Sequence, residues 1–404
     1  MIVLAGNVSP AAGGVERSVA AMARELMASG KDVRYLEVHP GTAPDGLTAL
    51  SAHVAWGRGP AVLLNPGRLR RALEGALTGS AGGIEQIWAR NPHVAAAAAS
   101  AVPDVPCAYL PPGIASEILP AERVHRGRGV RGLLRDAYWR LLAEPAALDA
   151  EDRAVRRSRV IVTFSENLRL WLERDYGPEV AARVRVVPPG VDTERFRPRR
   201  DDDDDPLADL SGAGGAGAAR SGAGRPGASP RLAFLGRLEA RKGATLFLEA
   251  LALLPEATGV IVGSGPEEAE VRRAVAALRL ADRVALVGHR PDAERWLRAC
   301  DVFVIPSTVE PFGHVMLEAM ASGLPVVGFS RASGARVATE DVVEDGRTGA
   351  LVEEVSGPGL AAGVRRVLDL LAGDPALPGR CRAAAERHDW ASYVTGVGKA
   401  LQDA

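Results

Sequence analysis

Two glutamates and a glycine in one short stretch have the chemistry to bind a sugar phosphate. Glu310 and Glu318 are separated by seven intervening residues, and Gly313 lies between them. Gly313 lets the backbone approach a ligand, and the N–H groups after it, at the start of a predicted helix, have no intrahelical partner and would face an anion. Carboxylates accept hydrogen bonds from hydroxyl groups. The stretch thus combines an anion cradle with a carboxylate on each side, as a nucleotide-sugar diphosphate requires.

A basic loop offers the complementary charges. Arg237 and Lys242 follow the apolar run 231–235 and precede a helix predicted over 244–254. A guanidinium fork and a flexible ammonium are complementary ligands of a diphosphate. The alternative interpretations are a basic loop with a purely structural role, and an ordinary loop and helix for the two glutamates.

Apolar runs bounded by Pro and Gly position these residues. Strands are predicted at 302–305 and 325–328, with a loop over 306–313 and a helix over 314–322 between them. Val/Ile runs of this kind are typical of strands covered on both faces. Loops at the carboxyl ends of such strands bind ligands in open α/β sheets. The same β-α-β rhythm recurs along the chain and predicts an α/β fold.

The N-terminal part of the chain offers further candidates. Gly13 and Gly14 lie between a strand predicted at 2–5 and the first helix, where a glycine pair forms either a ligand-binding turn or only a tight turn. The pair is not the G-x-G-x-x-G fingerprint, so no nicotinamide cofactor is indicated. Arg90 and His93 follow another strand, and His93 either faces a ligand or is a helix N-terminal residue without chemistry.

Composition excludes several classes of protein. The formal net charge of -1 over 404 residues argues against a nucleic-acid binder. Three widely separated cysteines indicate a reduced, cytoplasmic protein rather than a disulfide framework or a zinc site. The chain begins with MIVLAGNVSP, which we interpret as a first core strand rather than a signal peptide, and it contains no apolar run long enough to span a bilayer. Its richness in Ala, Gly and Arg is typical of a high-GC bacterial genome.

Two segments have an unusual composition. Residues 199–230 combine five consecutive aspartates, 201–205, with a Gly/Ala/Ser tract that cannot bury enough apolar surface to fold alone. We predict a flexible insertion whose aspartates form a solvated run, with cation chelation as the alternative. Residues 121–143 are strongly basic and carry an apolar stripe. They form either an amphipathic helix that touches anionic lipid or an anionic acceptor, or an ordinary packed helix with a solvated basic face.

Longer strings around these residues resemble the retaining GT-B glycosyltransferases of family 4. The similarity covers the two-glutamate stretch, the basic loop and a segment near the middle of the chain: Glu310-Pro311-Phe312-Gly313 with Glu318 and 322–327, then 236–243, and 186–198. The E-x7-E spacing alone is not specific, whereas the whole string in its strand context is. Family members often have a histidine in the region where this chain has Pro111-Pro112-Gly113.

The resemblance implies a fold and a domain organisation. The fold would be α/β, of the GT-B type, with two doubly wound Rossmann-like domains facing across a cleft. An N-terminal acceptor-binding domain would span 1–190 and be completed by a C-terminal helix at about 386–404. A C-terminal domain that binds the nucleotide-sugar donor would span 231–385, after the insertion at 199–230.

The resemblance also implies roles for individual residues. Glu310 would hold donor-sugar hydroxyls, Glu318 the ribose hydroxyls, and Arg237 and Lys242 the diphosphate, so that Glu310, Arg237 and Lys242 form the catalytic set. The further donor-binding candidates are Gly13, Gly14, Gly263, Gly265, His289, Arg290, Phe312, Gly313, His314 and Val315. Arg90 and His93 are the candidates on the acceptor side. No metal-ligand cluster occurs at the usual spacings, so neither a metal nor a cofactor is expected.

A chain with these features is expected to be a retaining glycosyltransferase. It would move a sugar from a UDP-, GDP- or similar donor to a hydroxyl of a small-molecule or lipid-linked acceptor, with the leaving phosphate taking the acceptor proton. Two alternatives remain open. A sugar-nucleotide epimerase on the same fold would turn over the donor without an acceptor, and a non-catalytic nucleotide-sugar-binding partner would bind the donor without turnover.

Overall fold

The chain divides into two compact units. The computed structural model describes residues 1–6, 14–37, 47–51, 66–115, 141, 144–207 and 229–404. The first unit is Met1–Gly190 with Trp390–Ala404, and the second is Val191–Asp389. Most of the basic segment 121–143 and the tract 208–228 lie outside the described residues, so the two interpretations of the basic segment stay open.

The first unit is built on a seven-stranded parallel sheet. Its order is β3-β2-β1-β4-β5-β6-β7. The strands are β1 Ile2–Ala5, β2 Val33–Glu37, β3 Thr48–Ser51, β4 Gln86–Ala89, β5 Cys107–Tyr109, β6 Val160–Thr163 and β7 Val184–Val186. The apolar strands β1 and β6 are buried along their whole length, as expected of parallel strands covered on both faces. The strand order reverses between β1 and β4, where open α/β sheets bind ligands.

The second unit repeats this plan with a six-stranded parallel sheet. Its order is β10-β9-β8-β11-β13-β15, and two short strands, β12 and β14, pair separately. The strands are β8 Arg231–Leu235, β9 Thr258–Val262, β10 Val284–Gly288, β11 Val302–Ile305, β12 Val309–Glu310, β13 Val326–Phe329, β14 Arg336–Val337 and β15 Gly349–Val352. Here the order reverses between β8 and β11. The loops after these two strands carry the basic residues and the two-glutamate stretch singled out from the sequence.

Helices cover the sheets. In chain order they are α1 Gly14–Ala28, α2 Pro66–Ser80, α3 Pro92–Ala101, α4 Glu144–Arg157, α5 Glu166–Tyr176, α6 Pro178–Ala181, α7 Ala244–Ala252, α8 Glu268–Ala277, α9 Ala293–Arg298, α10 His314–Ala321, α11 Gly357–Gly373, α12 Leu377–Glu386 and α13 Trp390–Gln402. None of the helices within the described ranges combines the length and the apolarity needed to cross a membrane.

The C-terminal helix α13 belongs to the first unit. The Tyr393 ring is fully buried and stacks edge-on against Phe164, with ring centroids 5.3 Å apart. A Cβ atom on Gly396 would lie 2.8 Å from a Val187 methyl group, so the helix packs closely on the residue that follows β7. Aromatic burial of this kind stabilises the contact, and the chain returns to its first unit at Trp390.

Part of the acidic run is packed rather than solvated. Asp203 accepts two hydrogen bonds from the Arg197 guanidinium, at 2.7 and 2.8 Å, and these bonds lower the pKa of Asp203 well below its ordinary value. Asp205 pairs at 2.8 Å with Arg231, whose side chain is 1% exposed. The predicted solvated run is therefore wrong at Asp203 and Asp205, although Asp204 is exposed. Composition could not show that a partly buried arginine, Arg197, and a fully buried one, Arg231, pair with these two carboxylates.

Removing the acid that faces Arg231 should destabilise the second unit. We expect Asp205→Asn to lower its free energy of unfolding by about 3 kcal/mol, because breaking a buried pair leaves one charge uncompensated. The control is Asp204→Asn, because the Asp204 side chain is 88% exposed and lies 3.8 Å from Arg295; it should stay within about 0.5 kcal/mol of the parent. Urea-induced unfolding, monitored by hydrogen exchange of the β8 amides, measures the stability of both variants. Equal effects of the two variants would contradict the pairing.

Candidate functional site

Two loops meet at the point where the strand order of the second unit reverses. The residue Gly243, in the loop after β8, has φ +69°, and a Cβ atom there would lie 2.2 Å from the Pro306 carbonyl oxygen in the loop after β11. The Thr308 N–H also donates to the Arg241 carbonyl at 2.9 Å. Only glycine fits such an approach in this backbone conformation. The two loops are therefore packed backbone to backbone.

This packing joins Lys242 to Glu310. The Lys242 ammonium donates to Glu310 Oε2, and the Ser307 hydroxyl donates to the same oxygen at 3.3 Å. Burial by itself opposes ionisation of Glu310, which is 7% exposed, but the charges of Lys242 and Arg241 and the two hydrogen bonds lower its pKa below the ordinary value of 4.5. Glu310 is therefore a carboxylate at neutral pH, and the two predicted site residues hold each other.

The backbone of Glu310 is also fixed. The structure places it on β12 rather than in an irregular loop, with Glu310 opposite Val337 of β14. The Ala338 N–H donates to its carbonyl at 3.2 Å. The two-residue strand was not predicted, because so short a pairing leaves no periodic pattern in the sequence.

The basic loop also contains an acid, Glu239, that the sequence analysis missed. Glu239 is 9% exposed and pairs with Arg237 at 2.9 Å and with Arg241 at 3.0 Å. The Arg237 side chain is 70% exposed, so Glu239 holds its guanidinium by one edge while leaving it accessible. The structure thus brings Lys242 to Glu310 directly, while Arg237 pairs with Glu239 instead. The signal for Glu239 was its place between the two arginines.

The loop after β9 packs on the basic loop. A Cβ atom on Gly263 would lie 1.8 Å from the Gly236 carbonyl oxygen, and one on Gly265 would lie 2.4 Å from that of Leu238. The Leu238 N–H donates to the Ser264 carbonyl at 3.0 Å. Close backbone approach thus requires both glycines, and their predicted contact with a donor remains a prediction.

Helix α10 begins beside Glu310. Gly313 has φ +81°, and a Cβ atom on it would lie 3.0 Å from Glu310 Cγ. The helix begins at His314, whose ring is 5.3 Å from that of buried Phe312. Val315 lines a small pocket together with Lys242 and Glu310. The amide groups at the start of α10 therefore lie next to the ion pair.

The remaining donor-side candidates lie on nearby elements. Glu318 is buried on α10, and the Ser322 hydroxyl donates to its backbone carbonyl at 2.9 Å. His289 and Arg290 are exposed after β10, and the Arg290 guanidinium lies 5.5 Å from the centre of the Trp296 ring. These side chains are not part of the ion pair between Lys242 and Glu310. Their expected contacts with the donor remain predictions.

The first unit places its candidates beside its own reversal point. The Arg90 N–H donates to the Ala5 carbonyl at 2.8 Å, which ties the end of β4 to the end of β1. The Arg90 guanidinium is buried, 4.4 Å from the centre of the Phe164 ring. Gly14 is the first residue of α1, whereas Gly13 lies outside the described residues.

His93 lies in the first turn of α3. Its N–H donates to the Asn91 side chain at 2.9 Å, so Asn91 is the helix cap. Burial, reinforced by the Arg153 charge, lowers the His93 pKa to about 4. The imidazole is therefore neutral at physiological pH and can donate or accept a hydrogen bond. Across the described ranges, no group of three or more His, Cys, Asp or Glu side chains is arranged to hold a metal ion.

Loss of Lys242 should reverse the direction in which the pKa of Glu310 is shifted. In the parent the lowered pKa means that the carboxylate stabilises the fold above its ordinary pKa, an effect lost as pH falls through the folded value. We expect Lys242→Met to raise the Glu310 pKa above the ordinary 4.5, because burial is the largest influence on this group. The variant should then lose stability as pH rises through that new value. Carboxyl-carbon NMR measures the pKa. Arg237→Met is the control, because Arg237 pairs with Glu239, and an equal shift there would contradict the pairing.

Two family models match the chain. Residues 12–195 match the model described as Glycosyltransferase Family 4, and residues 229–370 match the model described as Glycosyl transferases group 1. The first match covers most of the first unit, and the second lies inside the second unit.

Several curated proteins are similar over part of their length. The D-inositol 3-phosphate glycosyltransferase of Streptomyces scabiei is 36% identical over 262 residues, which cover 61% of this chain and 53% of that protein. The lipopolysaccharide core biosynthesis glycosyltransferase LpsE of Rhizobium meliloti is 33% identical over 164 residues, which cover 41% of this chain and 45% of that protein. The chain spans about half the length of the curated relatives it matches.

Solved structures share the architecture over the whole chain. Anabaena HepE in complex with UDP and glucose has a TM-score of 0.72 at 19% identity, with 100% of this chain and 99% of that one covered. Sucrose-phosphate synthase from Thermosynechococcus elongatus has a TM-score of 0.73 at 20% identity, with 100% and 98% covered. At such identities the likeness shows the fold. The chain therefore has the GT-B fold, and each of its two parallel α/β units matches a glycosyltransferase family model.

Proposed function

We propose that this chain is a retaining glycosyltransferase. It transfers a sugar from a nucleotide-diphosphate donor to a hydroxyl of a small-molecule or lipid-linked acceptor. The observation that carries the proposal is the ion pair between Lys242 and Glu310, held beside the start of α10 at the strand-order reversal. Family models for glycosyltransferases match both units, and relatives named as glycosyltransferases support the same class.

The charges of the second unit suit a sugar diphosphate. Arg237 is exposed and offers a guanidinium, and Lys242 offers an ammonium that the diphosphate would share with Glu310. The amide groups after Gly313 add uncharged donors at a helix start. Such preorganised donors stabilise the charge that develops on the leaving phosphate.

The two glutamates would hold the hydroxyl groups of the donor. Glu310 is ionised because its pKa is lowered, so it can accept hydrogen bonds from the transferred sugar. Glu318, buried eight positions further on, would accept those of the ribose. Arg90 and neutral His93 in the first unit are the proposed contacts to the acceptor.

The proposed reaction proceeds on one face of the sugar. The bond between the anomeric carbon and the phosphate oxygen breaks, and a bond to the acceptor oxygen forms on the same face. The acceptor proton passes to the leaving phosphate, so the step needs no separate protein base. The transition state has oxocarbenium character, as in glycoside hydrolysis, and Lys242 and Arg237 stabilise the departing charge.

The relatives suggest which substrates to try first. HepE was crystallised with UDP and glucose, and several relatives are named D-inositol 3-phosphate glycosyltransferases. We propose a UDP-sugar as the first donor and small phosphorylated or unphosphorylated polyols as the first acceptors, with GDP-sugars as the next donors.

Removing either partner of the ion pair should abolish most of the transfer. We expect Lys242→Ala and Glu310→Gln each to lower kcat/KM about 10²–10³-fold, by analogy with the loss of one preorganised donor at a developing charge. Product formation from radiolabelled sugar nucleotides, with anomeric analysis of the product, measures rate and stereochemistry. Arg273→Ala, which removes an exposed arginine on α8, is the control and should leave transfer unchanged.

The outcome separates the alternatives. Donor conversion without any acceptor would favour an epimerase, and donor binding by calorimetry without turnover would favour a non-catalytic binding protein. Unchanged transfer in both Lys242→Ala and Glu310→Gln would place the reaction elsewhere.

Glu239 should act through Arg237. We expect Glu239→Gln to raise the KM for the donor about tenfold with a smaller change in kcat, because a guanidinium that loses a charge-assisted partner must be ordered when the donor binds. Steady-state kinetics at varied donor concentration measure the split. Glu239→Asp should restore part of the affinity, whereas a purely structural role would lower the amount of folded enzyme and leave the KM unchanged.

A further inference from the structure

A basic pocket lies at the opposite edge of the sheet in the first unit. Four arginines, Arg157, Arg159, Arg183 and Arg185, line an open cavity of about 550 Å³ together with Asp403. Strands β6 and β7 begin here, at Val160 and Val184. Because the sheet is parallel, the pocket is at its amino edge, whereas Arg90 and His93 follow the carboxyl end of β4.

The arginines of the pocket differ from their neighbours in lacking acidic partners. The other arginines of α4 and α5 pair with carboxylates on their own helix, as in Arg153 with Asp149 at 2.6 Å and Arg156 with Asp152 at 2.7 Å. Arg169 and Arg174 are paired in the same way. Within the described ranges, none of the four pocket arginines forms an ion pair. Asp403 is the one acidic side chain among the lining residues, against four guanidinium groups, so the positive charges still repel one another and a bound anion relieves that cost.

The guanidinium groups divide into one that supports the fold and three that keep free donors. Arg183 donates to the carbonyls of Val155 at 3.2 Å and Arg156 at 3.3 Å, and so caps the end of α4. Arg157 and Arg185 each use one terminal nitrogen, on Ser100 and on nearby carbonyls. These two groups, with exposed Arg159, keep further N–H donors for a ligand.

We propose that this pocket binds the phosphate group of a phosphorylated molecule, at a site separate from the candidate reaction site. A planar guanidinium group donates two parallel hydrogen bonds to two oxygens of a phosphate. Three arginines around one cavity therefore match a phosphate or diphosphate better than a carboxylate, which has only two oxygens. The cavity is of the size that small ligands occupy. A free phosphate ester and a lipid headgroup share this chemistry.

Hydrogen exchange with inorganic pyrophosphate tests the proposal on the full chain. We expect the amides of 157–160 and 182–186 to be protected from exchange. This protection should be independent of any protection of the 236–243 loop in the second unit. Arg159→Ala/Arg185→Ala should abolish the first effect and raise the dissociation constant at this site about tenfold or more, given the strength of hydrogen bonds between charged groups.

A matched control removes the same charge. Arg156→Ala/Arg174→Ala deletes two arginines from the neighbouring helices α4 and α5, each of which has an acidic partner, and should keep the protection. Vesicles containing phosphatidylglycerol form the second arm. Protection of the pocket by vesicles but not by pyrophosphate would assign a lipid phosphate as the source. Absence of protection with both probes, or its equal loss in the control, would overturn the proposal; neither result depends on transfer activity.

Discussion

The close approach of two backbones at Gly243 and Pro306 is the constraint on which the candidate site depends. Each loop leaves the carboxyl end of a different strand, and the strands are neighbours because the sheet reverses its order there. With a side chain at position 243 the loops would be forced apart, since its first carbon atom would overlap the Pro306 carbonyl. Lys242, the residue before that glycine, is thereby placed against Glu310. A side chain of a single carbon atom at position 243 would thus change the relative position of the Lys242 and Glu310 charges.

Alternation of charge explains how so many ionised groups share this small region. Glu239 lies between Arg237 and Arg241, and Glu310 is stabilised by both Lys242 and Arg241. Each acid therefore has two cations near it, which offsets the desolvation that burial imposes. Three cations against two acids leave the loops with a surplus of positive charge, and an anion is the ligand that such a surplus attracts. Arg237 is the member of the set that extends into solvent.

The sequence predicted the sheet-forming runs and the Lys242 and Glu310 positions, because apolar periodicity and loops at strand ends are local features. The strand predicted at 302–305 is confirmed as β11, and the helix predicted over 314–322 ends one residue earlier. What it missed depends on distant partners. The place of Glu239 between two arginines is visible in the sequence, but its burial arises only when the loop after β9 packs on the basic loop. Asp205 looked like its exposed neighbours until Arg231, far along the chain, proved to be buried beside it.

The first unit shows how distant segments can support one candidate side chain. The Arg90 backbone is tied to the end of β1, and its guanidinium lies over Phe164, which follows β6. Phe164 in turn packs on Tyr393 of the C-terminal helix α13. A cation over an aromatic face is stabilised most when both groups are removed from water, as they are here. The orientation of Arg90 therefore depends on packing by a helix that lies some three hundred positions later in the chain, so changes on the buried face of α13 should alter the surroundings of Arg90.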